Sequence, residues 1–201
     1  IRDSYLNQVL SALSPSNFPL TNPEVVRTTL ATNALIERRG AKTALVTTEG
    51  FRDVIEMRTE SRFDQYDLNI RLPQPLIPRD HRFPVRGRLG ADGSELQPLD
   101  EAALEALAER LAEDGFGAVA VGFIHSYMNP AHERRAREIL SARLDVPISL
   151  SSEVSPQMRE YERFNTVAAN AYVRPQMASY LARLQVVAGD GRRSVSYTHL
   201  T

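Results

Sequence analysis

The sequence predicts an α/β protein with a mostly parallel sheet and flanking helices, and three observations carry that expectation. Apolar runs of strand length alternate with segments of helical periodicity along most of the chain. One run, Ala118-Val119-Ala120-Val121-Gly122-Phe123-Ile124, is apolar on both alternating faces, as a central strand covered on both sides should be. The order strand, helix, strand, insertion, helix, strand, helix, strand, helix implies right-handed crossovers between parallel strands.

The elements read as follows. Leu6, Val9, Leu10 and Leu13 stand at helical spacing and predict a helix over Asp3–Leu13, after which Pro15, Pro19 and Pro23 enforce a loop. Glu24-Val25-Val26-Arg27-Thr28 reads as a short strand, and Thr29 to Arg39 as a helix with Gly40 as its C-terminal cap. Thr43–Thr47 is a second strand, followed by Gly50 and a short helical turn through Asp53 and Val54. Residues 59–98 are irregular and proline-rich. A structureless loop of that length does not suit a compact domain, so the stretch reads as a β-rich insertion. Within it Phe83–Leu89 is one strand of a hairpin, and Ala91-Asp92-Gly93-Ser94 a turn. Asp100 is an N-cap for a helix carrying Leu104, Leu107, Ala108 and Leu111 and ending at Gly115. Asn129 caps a further helix, with Pro130 at its first position, that runs to about Leu144. Pro147–Leu150 is a short strand. A long helical segment, Pro156–Leu184, closes the pattern, with a kink or break at Pro175.

Composition narrows the function classes. The 201 residues are 42% hydrophobic and 24% charged, ordinary for a globular domain, and the net charge of -1 argues against general nucleic-acid binding. No cysteine is present, which excludes disulfides, thiolate metal sites and a cysteine nucleophile, and fits a cytoplasmic location. No apolar run approaches the roughly 18 residues of a membrane span. Residues 1–188 read as one incomplete domain. The tail 189–201, ending Ser194-Val195-Ser196-Tyr197-Thr198-His199-Leu200-Thr201, reads as a disordered sequencing-adaptor or fusion scar.

In open α/β sheets ligands bind beyond the carboxyl ends of the strands. The sequence places Thr28, Thr29, Thr32 and Asn33 after the first expected strand, and Thr47, Thr48, Glu49 and Gly50 after the second. His125, Ser126, Tyr127 and Asn129 follow the third, and Ser151, Ser152 and Glu153 the fourth. Three threonines and an asparagine around one helix start exceed what capping requires, whereas Asn129, Ser151 and Ser152 are also ordinary cap residues. The binding candidates are Thr28, Thr29, Thr32, Asn33, Thr48, Ser126 and Ser152. His125 and Glu153 are the catalytic candidates, with a structural rim role open for His125. His132 and Glu133 read as surface or packing residues. Arg159-Glu160-Tyr161-Glu162-Arg163 reads as a solvated, salt-bridged helix face. The histidines lack metal-ligand spacing, so no protein-held metal is expected. No glycine-rich phosphate loop or nucleophile elbow is visible.

Three blocks resemble the N-terminal domain of the hydantoinase A/5-oxoprolinase family, in the family's order. They are Thr28-Thr29-Leu30-Ala31-Thr32-Asn33-Ala34-Leu35 through Phe51-Arg52-Asp53, Gly122-Phe123-Ile124-His125-Ser126-Tyr127-Met128-Asn129-Pro130-Ala131-His132-Glu133, and Leu150-Ser151-Ser152-Glu153-Val154 through Asn170-Ala171-Tyr172-Val173. The resemblance implies part of an actin/hexokinase-like ATPase fold, ATP with Mg²⁺ as cofactors, and ring opening of cyclic amides such as hydantoins or 5-oxoproline. It also implies two partners beyond the small-molecule cyclic amide: the rest of the enzyme's own chain and a hydantoinase B-type subunit or domain. Relatives that carboxylate ketones give one alternative, and a non-catalytic binding or assembly module gives another. The family's Asp-x-Gly-Gly-Thr phosphate signature is expected before Ile1 and a second phosphate segment after Leu184, so the chain alone is expected to be inactive. Where relatives often carry His-Gly, this chain has Val26-Arg27.

Overall fold

The computed structural model describes residues 23–59 and 73–187. The helix expected over Asp3–Leu13 and the tail 189–201 lie outside the described residues, as does part of the irregular stretch, 60–72. In chain order the elements are α1 (Pro23–Ile36), β1 (Thr43–Thr48), α2 (Val54–Met57), a 3-10 turn (Arg79–His81), β2 (Arg82–Val85), β3 (Arg88–Leu89), β4 (Glu95–Gln97), α3 (Glu101–Glu113), β5 (Ala118–Gly122), α4 (Ala131–Ser141), β6 (Ile148–Leu150), α5 (Ser151–Val154) and α6 (Glu160–Val187).

Four strands form one sheet in the order β2-β1-β5-β6, and every pairing is parallel. The mostly parallel sheet with flanking helices is therefore the observed architecture. The side-chain alternation of β5 explains its layering. Val119, Val121 and Phe123 project to one side, into a core shared with Leu104, Leu107 and Leu111 of α3 and Ala136, Ile139 and Leu140 of α4. Ala118 and Ala120 project to the other side, toward Phe164, Val167, Ala168 and Ala171 of α6. These small residues let α6 lie close against the sheet. At Gly122 a Cβ would stand 2.7 Å from the Phe164 ring, so glycine is required there by proximity. No helix among the described residues is long and apolar enough to cross a membrane.

The cap side chains expected for the central helices are in place, although α4 begins at Ala131, one residue later than expected, with Pro130 just before it. The Asp100 side chain accepts the Ala103 N–H at 3.0 Å and caps α3, and Gly115 follows that helix at φ 66°. Asn129 Oδ1 accepts from the Ala131 N–H at 3.0 Å, while its Nδ2 donates to Gly93 O and ties the β3–β4 hairpin to the start of α4.

Four expectations are corrected. Glu24–Thr28 is not a strand: it lies within α1, which begins at Pro23, a residue suited to a first helical turn. Both ladder edges of β1 are already filled by β2 and β5. Phe83–Leu89 is not one hairpin strand. It divides at Arg86-Gly87 into β2, which joins the main sheet in parallel, and β3, which pairs with β4 in a separate antiparallel hairpin. Gly40 does not supply the left-handed residue after α1, because Arg38 does at φ 53°. Gly40 is needed instead because Tyr172 packs on it, where a Cβ would lie 2.1 Å from the ring. Finally, of the kink or break expected at Pro175, the break is not found: α6 is assigned as one helix through that residue.

Candidate functional site

The carboxyl ends of β1, β5 and β6 form one rim. The polypeptide leaves β5 through Phe123, Ile124 and His125, and none of the three continues the strand. His125 adopts φ 57°, a left-handed conformation uncommon for residues with a side chain, although histidine enters it more readily than most. Its ring stands partly exposed at an edge-on angle to Tyr127, with centroids 6.1 Å apart. The buried Nδ1 has no hydrogen-bond partner. An unpaired buried N–H is costlier than an unpaired lone pair, which favours the tautomer carrying its proton on Nε2.

Beneath this turn lie two oppositely charged side chains that are both fully buried, Glu133 and Arg163. Glu133, in the first turn of α4, accepts four hydrogen bonds. Its Oε1 receives the Phe123 N–H at 3.0 Å and the Ser151 hydroxyl at 2.6 Å; its Oε2 receives the Ser152 N–H at 2.8 Å and the Ser152 hydroxyl at 2.6 Å. The positive end of the α4 dipole adds to this field. Arg163, in the first turn of α6, donates from Nη2 to Phe123 O at 3.0 Å and from Nε to Ser151 Oγ at 3.2 Å. Its Nη1 serves Gln157 O and Met158 O, and its plane lies over the Tyr127 and Phe164 rings. Burial draws the guanidinium below its usual pKa, and the neighbouring Glu133 carboxylate acts in the opposite sense.

The hydroxyls of the rim are used within the protein. Thr48 Oγ1 accepts the Ile124 N–H at 3.1 Å, and Ser126 Oγ donates to Phe123 O at 2.9 Å. Ser152 is bound to Glu133 as above. Glu153 is exposed and pairs with Arg137 at 2.7 Å. Among the binding candidates, then, Thr48, Ser126 and Ser152 come together with His125 and Glu153 on one rim, with Thr48, Ser126 and Ser152 turned to holding its backbone.

The other candidates stand elsewhere. Thr28, Thr29, Thr32 and Asn33 lie in α1, whose Ala31 and Ala34 pack on Tyr172 and Val173 of α6. That contact is at the amino end of β1, since the Ala41 N–H donates to Tyr172 O at 3.0 Å. Asn33 is exposed and lines an open depression of about 510 Å³ with Glu37, Arg39, Pro175, Gln176 and Tyr180. The side chains of Thr28 and Thr29 lie outside the described ones. The structure thus separates this group from the rim.

Two residues central to the rim were read from the sequence as peripheral. Glu133, read as a surface or packing residue, is fully buried: a glutamate three residues into a helix usually reaches back to cap it, and this one reaches the residues that follow β5 and β6 instead. Arg163 is not part of a solvated face. It adjoins Phe164 and precedes Val167 by four, on the stripe that α6 buries, and that periodicity was the available signal. Only Arg159 and Glu162 of that segment form the expected surface pair, at 3.7 Å.

The donor set does not fit a complete nucleotide–metal site. Thr48, Ser126, Ser151 and Ser152 spend their hydroxyls on protein groups, Glu133 is saturated by four donors, and Glu153 is held by Arg137. Among the described residues, no three His, Cys, Asp or Glu side chains gather as metal ligands would.

Comparison with known proteins agrees with this architecture. The chain is 42% identical over 163 residues to the caprolactamase subunit alpha of Pseudomonas jessenii, covering 80% of this chain and 23% of that subunit. The crystal structure of the ATP-dependent caprolactamase from Pseudomonas jessenii superposes with a TM-score of 0.73 and 35% identity, over 90% of this chain and 28% of that one. A nucleotide-free acetone carboxylase superposes with a TM-score of 0.69 and 25% identity, over 79% of this chain and 24% of that one. The chain thus spans about a quarter of the length of these proteins. The hydantoinase/oxoprolinase N-terminal region matches residues 6–144, a span that holds the sheet through β5, the His125 turn and Glu133, and the chain belongs to that family.

Proposed function

We propose that this chain is the N-terminal portion of an ATP-dependent hydrolase that opens cyclic amides, and that the carboxyl rim around His125 faces the reaction. The observation that carries this reading is the likeness to the ATP-dependent caprolactamase across 90% of the chain. Amide hydrolysis has a weak electrophile and a poor leaving group, so phosphorylating the carbonyl oxygen gives the carbon the reactivity it lacks. The fold then corresponds to part of an actin/hexokinase-like ATPase. Because the rim does not fit a whole nucleotide site, binding of ATP with Mg²⁺ falls to parts of the complete enzyme beyond the described residues, and this chain by itself does not turn ATP over.

Within this portion, His125 is the group suited to moving a proton. It sits at the end of the central strand, partly exposed, and the buried Nδ1 leaves Nε2–H as the ring's available donor. Glu153 is less suited, since its carboxylate is engaged by Arg137. The depression beside Asn33 is a second surface, suited to contacts with the rest of the enzyme or with a hydantoinase B-type subunit.

The likeness to acetone carboxylase favours a second reading, ATP-driven carboxylation of a ketone. One assay separates the two. The complete protein, with its partner subunit where one is encoded, is given ATP and Mg²⁺ with caprolactam, 5-oxoproline or hydantoin, and separately with acetone and bicarbonate. The hydrolase reading expects ADP release that depends on a cyclic amide and matches ring-opened product. ADP release that depends only on ketone and bicarbonate contradicts it in favour of the carboxylase. ADP release with neither contradicts both.

A further inference from the structure

We propose that Glu133 and Arg163 are positioning residues, a buried pair of opposite charges that clamps Phe123 from both sides and thereby fixes His125 in its left-handed conformation. The clamp is visible at one residue. Phe123 donates its N–H to Glu133 Oε1 at 3.0 Å and accepts at its carbonyl from Arg163 Nη2 at 3.0 Å. The next amide, Ile124 N–H, is taken by Thr48 Oγ1 at 3.1 Å, and Ser126 Oγ returns to Phe123 O at 2.9 Å. Side chains from four elements or their ends thus occupy the backbone groups that a strand ladder would otherwise hold.

Ser151 joins the two charges. Its hydroxyl donates to Glu133 at 2.6 Å and accepts from Arg163 Nε at 3.2 Å, so the end of β6 is locked into the same arrangement as the end of β5. Two opposite charges buried near each other are a poor way to gain stability alone, because apolar residues of similar volume serve as well or better. Its use here matches a different need. A non-glycine residue at positive φ persists only where its surroundings over-determine it, and the clamp acts two residues before His125. The pair also joins the first turns of α4 and α6, which lie on opposite faces of the sheet, so the position of His125 is referred to both layers.

The catalytic consequence rests on His125 as the proton-transfer group, and the test separates the two ideas. In the complete enzyme, Glu133→Gln keeps the shape but replaces one acceptor oxygen with a donor. Ser151→Ala is the milder variant, removing the bridge while leaving both charges on Phe123. The prediction is that each lowers kcat by about tenfold to a hundredfold, as displacement of a reacting group by about 1 Å does, with KM for ATP within about threefold. Neither lowers kcat further in a His125→Ala background, and crystal structures of the single variants show the imidazole displaced. If folded Ser151→Ala and Glu133→Gln enzymes keep the ring in place and kcat within about twofold, the positioning role is wrong. It is equally wrong if their losses multiply with that of His125→Ala. If His125→Ala alone keeps kcat while the ring still moves in the clamp variants, the positioning stands and the proton-transfer reading fails.

Discussion

Removing either member of the Glu133–Arg163 pair leaves the other buried without its countercharge, although its hydrogen bonds to other groups remain. Replacing Arg163 with methionine would leave the Glu133 carboxylate without its countercharge and Phe123 O without its guanidinium donor. The expected cost is about 3–5 kcal/mol of unfolding free energy, read by denaturant titration of the complete protein; a loss under about 1 kcal/mol would mean that the pair is not desolvated as described. Gly40 poses the opposite problem. A methyl group there collides with the Tyr172 ring, and displacing that ring also disturbs the contact with Ala31 and Ala34 of α1. Gly40→Ala should cost about 1–3 kcal/mol, and a neutral result would show that Tyr172 has room to withdraw.

At the scale of elements, capping and charge pairing give two smaller predictions. Asp100→Ala removes the acceptor of the Ala103 N–H at the start of α3 and should cost about 1 kcal/mol, measurable as a lowered Tm, whereas Asp100→Asn should retain most of the stability. Asp53, just before α2, accepts two hydrogen bonds from Arg79 at 2.8 and 3.0 Å, and these hold its carboxyl below the usual carboxylate range. A carboxyl depressed in the folded state contributes stability that is present above its unfolded pKa, about 3.9, and lost as pH falls through the folded value. Asp53→Asn should therefore lower stability modestly above about pH 4 and leave it unchanged at the acid end, which flattens the acid limb of the stability profile. An unchanged acid limb would show that solvent screens this exposed pair fully. The elements also show what was legible in the sequence. β5 and α3 were plain because an all-apolar run and an Asp-capped i, i+3, i+4, i+7 stripe each admit one reading. β2 was only half seen: Phe83–Val85 lay inside the expected strand, but Arg82 and Pro84 break its pattern and hid its place in the main sheet. Both are accommodated: Arg82 is buried through Ile77 O and Glu56, and Pro84 is exposed on a strand with only one paired edge among the described residues. α1 was misread because Val25, Val26 and Thr28 favour a strand locally, while the contact of Ala31 and Ala34 with α6 is invisible without the fold.

At the scale of the molecule, the sheet order sets which candidates can act together. β1, β5 and β6 end side by side, which brings Thr48, His125, Ser126, Ser152 and Glu153 to one rim; the sequence had placed these residues after successive strands but not the strands beside one another. The threonine and asparagine cluster of α1 looked like the strongest site because its composition exceeds a cap, yet the correct reading of α1 as a helix moves it to the amino side of β1. Glu133 and Arg163 were the reverse case, hidden because charged residues in first helical turns are ordinarily solvated. In the complete enzyme the carboxyl rim is expected to face the reaction. The most direct test is a crystal structure of the complete enzyme with a non-hydrolysable ATP analogue and a cyclic amide. The expected result is an amide carbonyl within hydrogen-bonding reach of the rim at His125, about 2.6–3.2 Å or through one water. An amide bound wholly elsewhere, with His125 covered by another part of the enzyme, would contradict it.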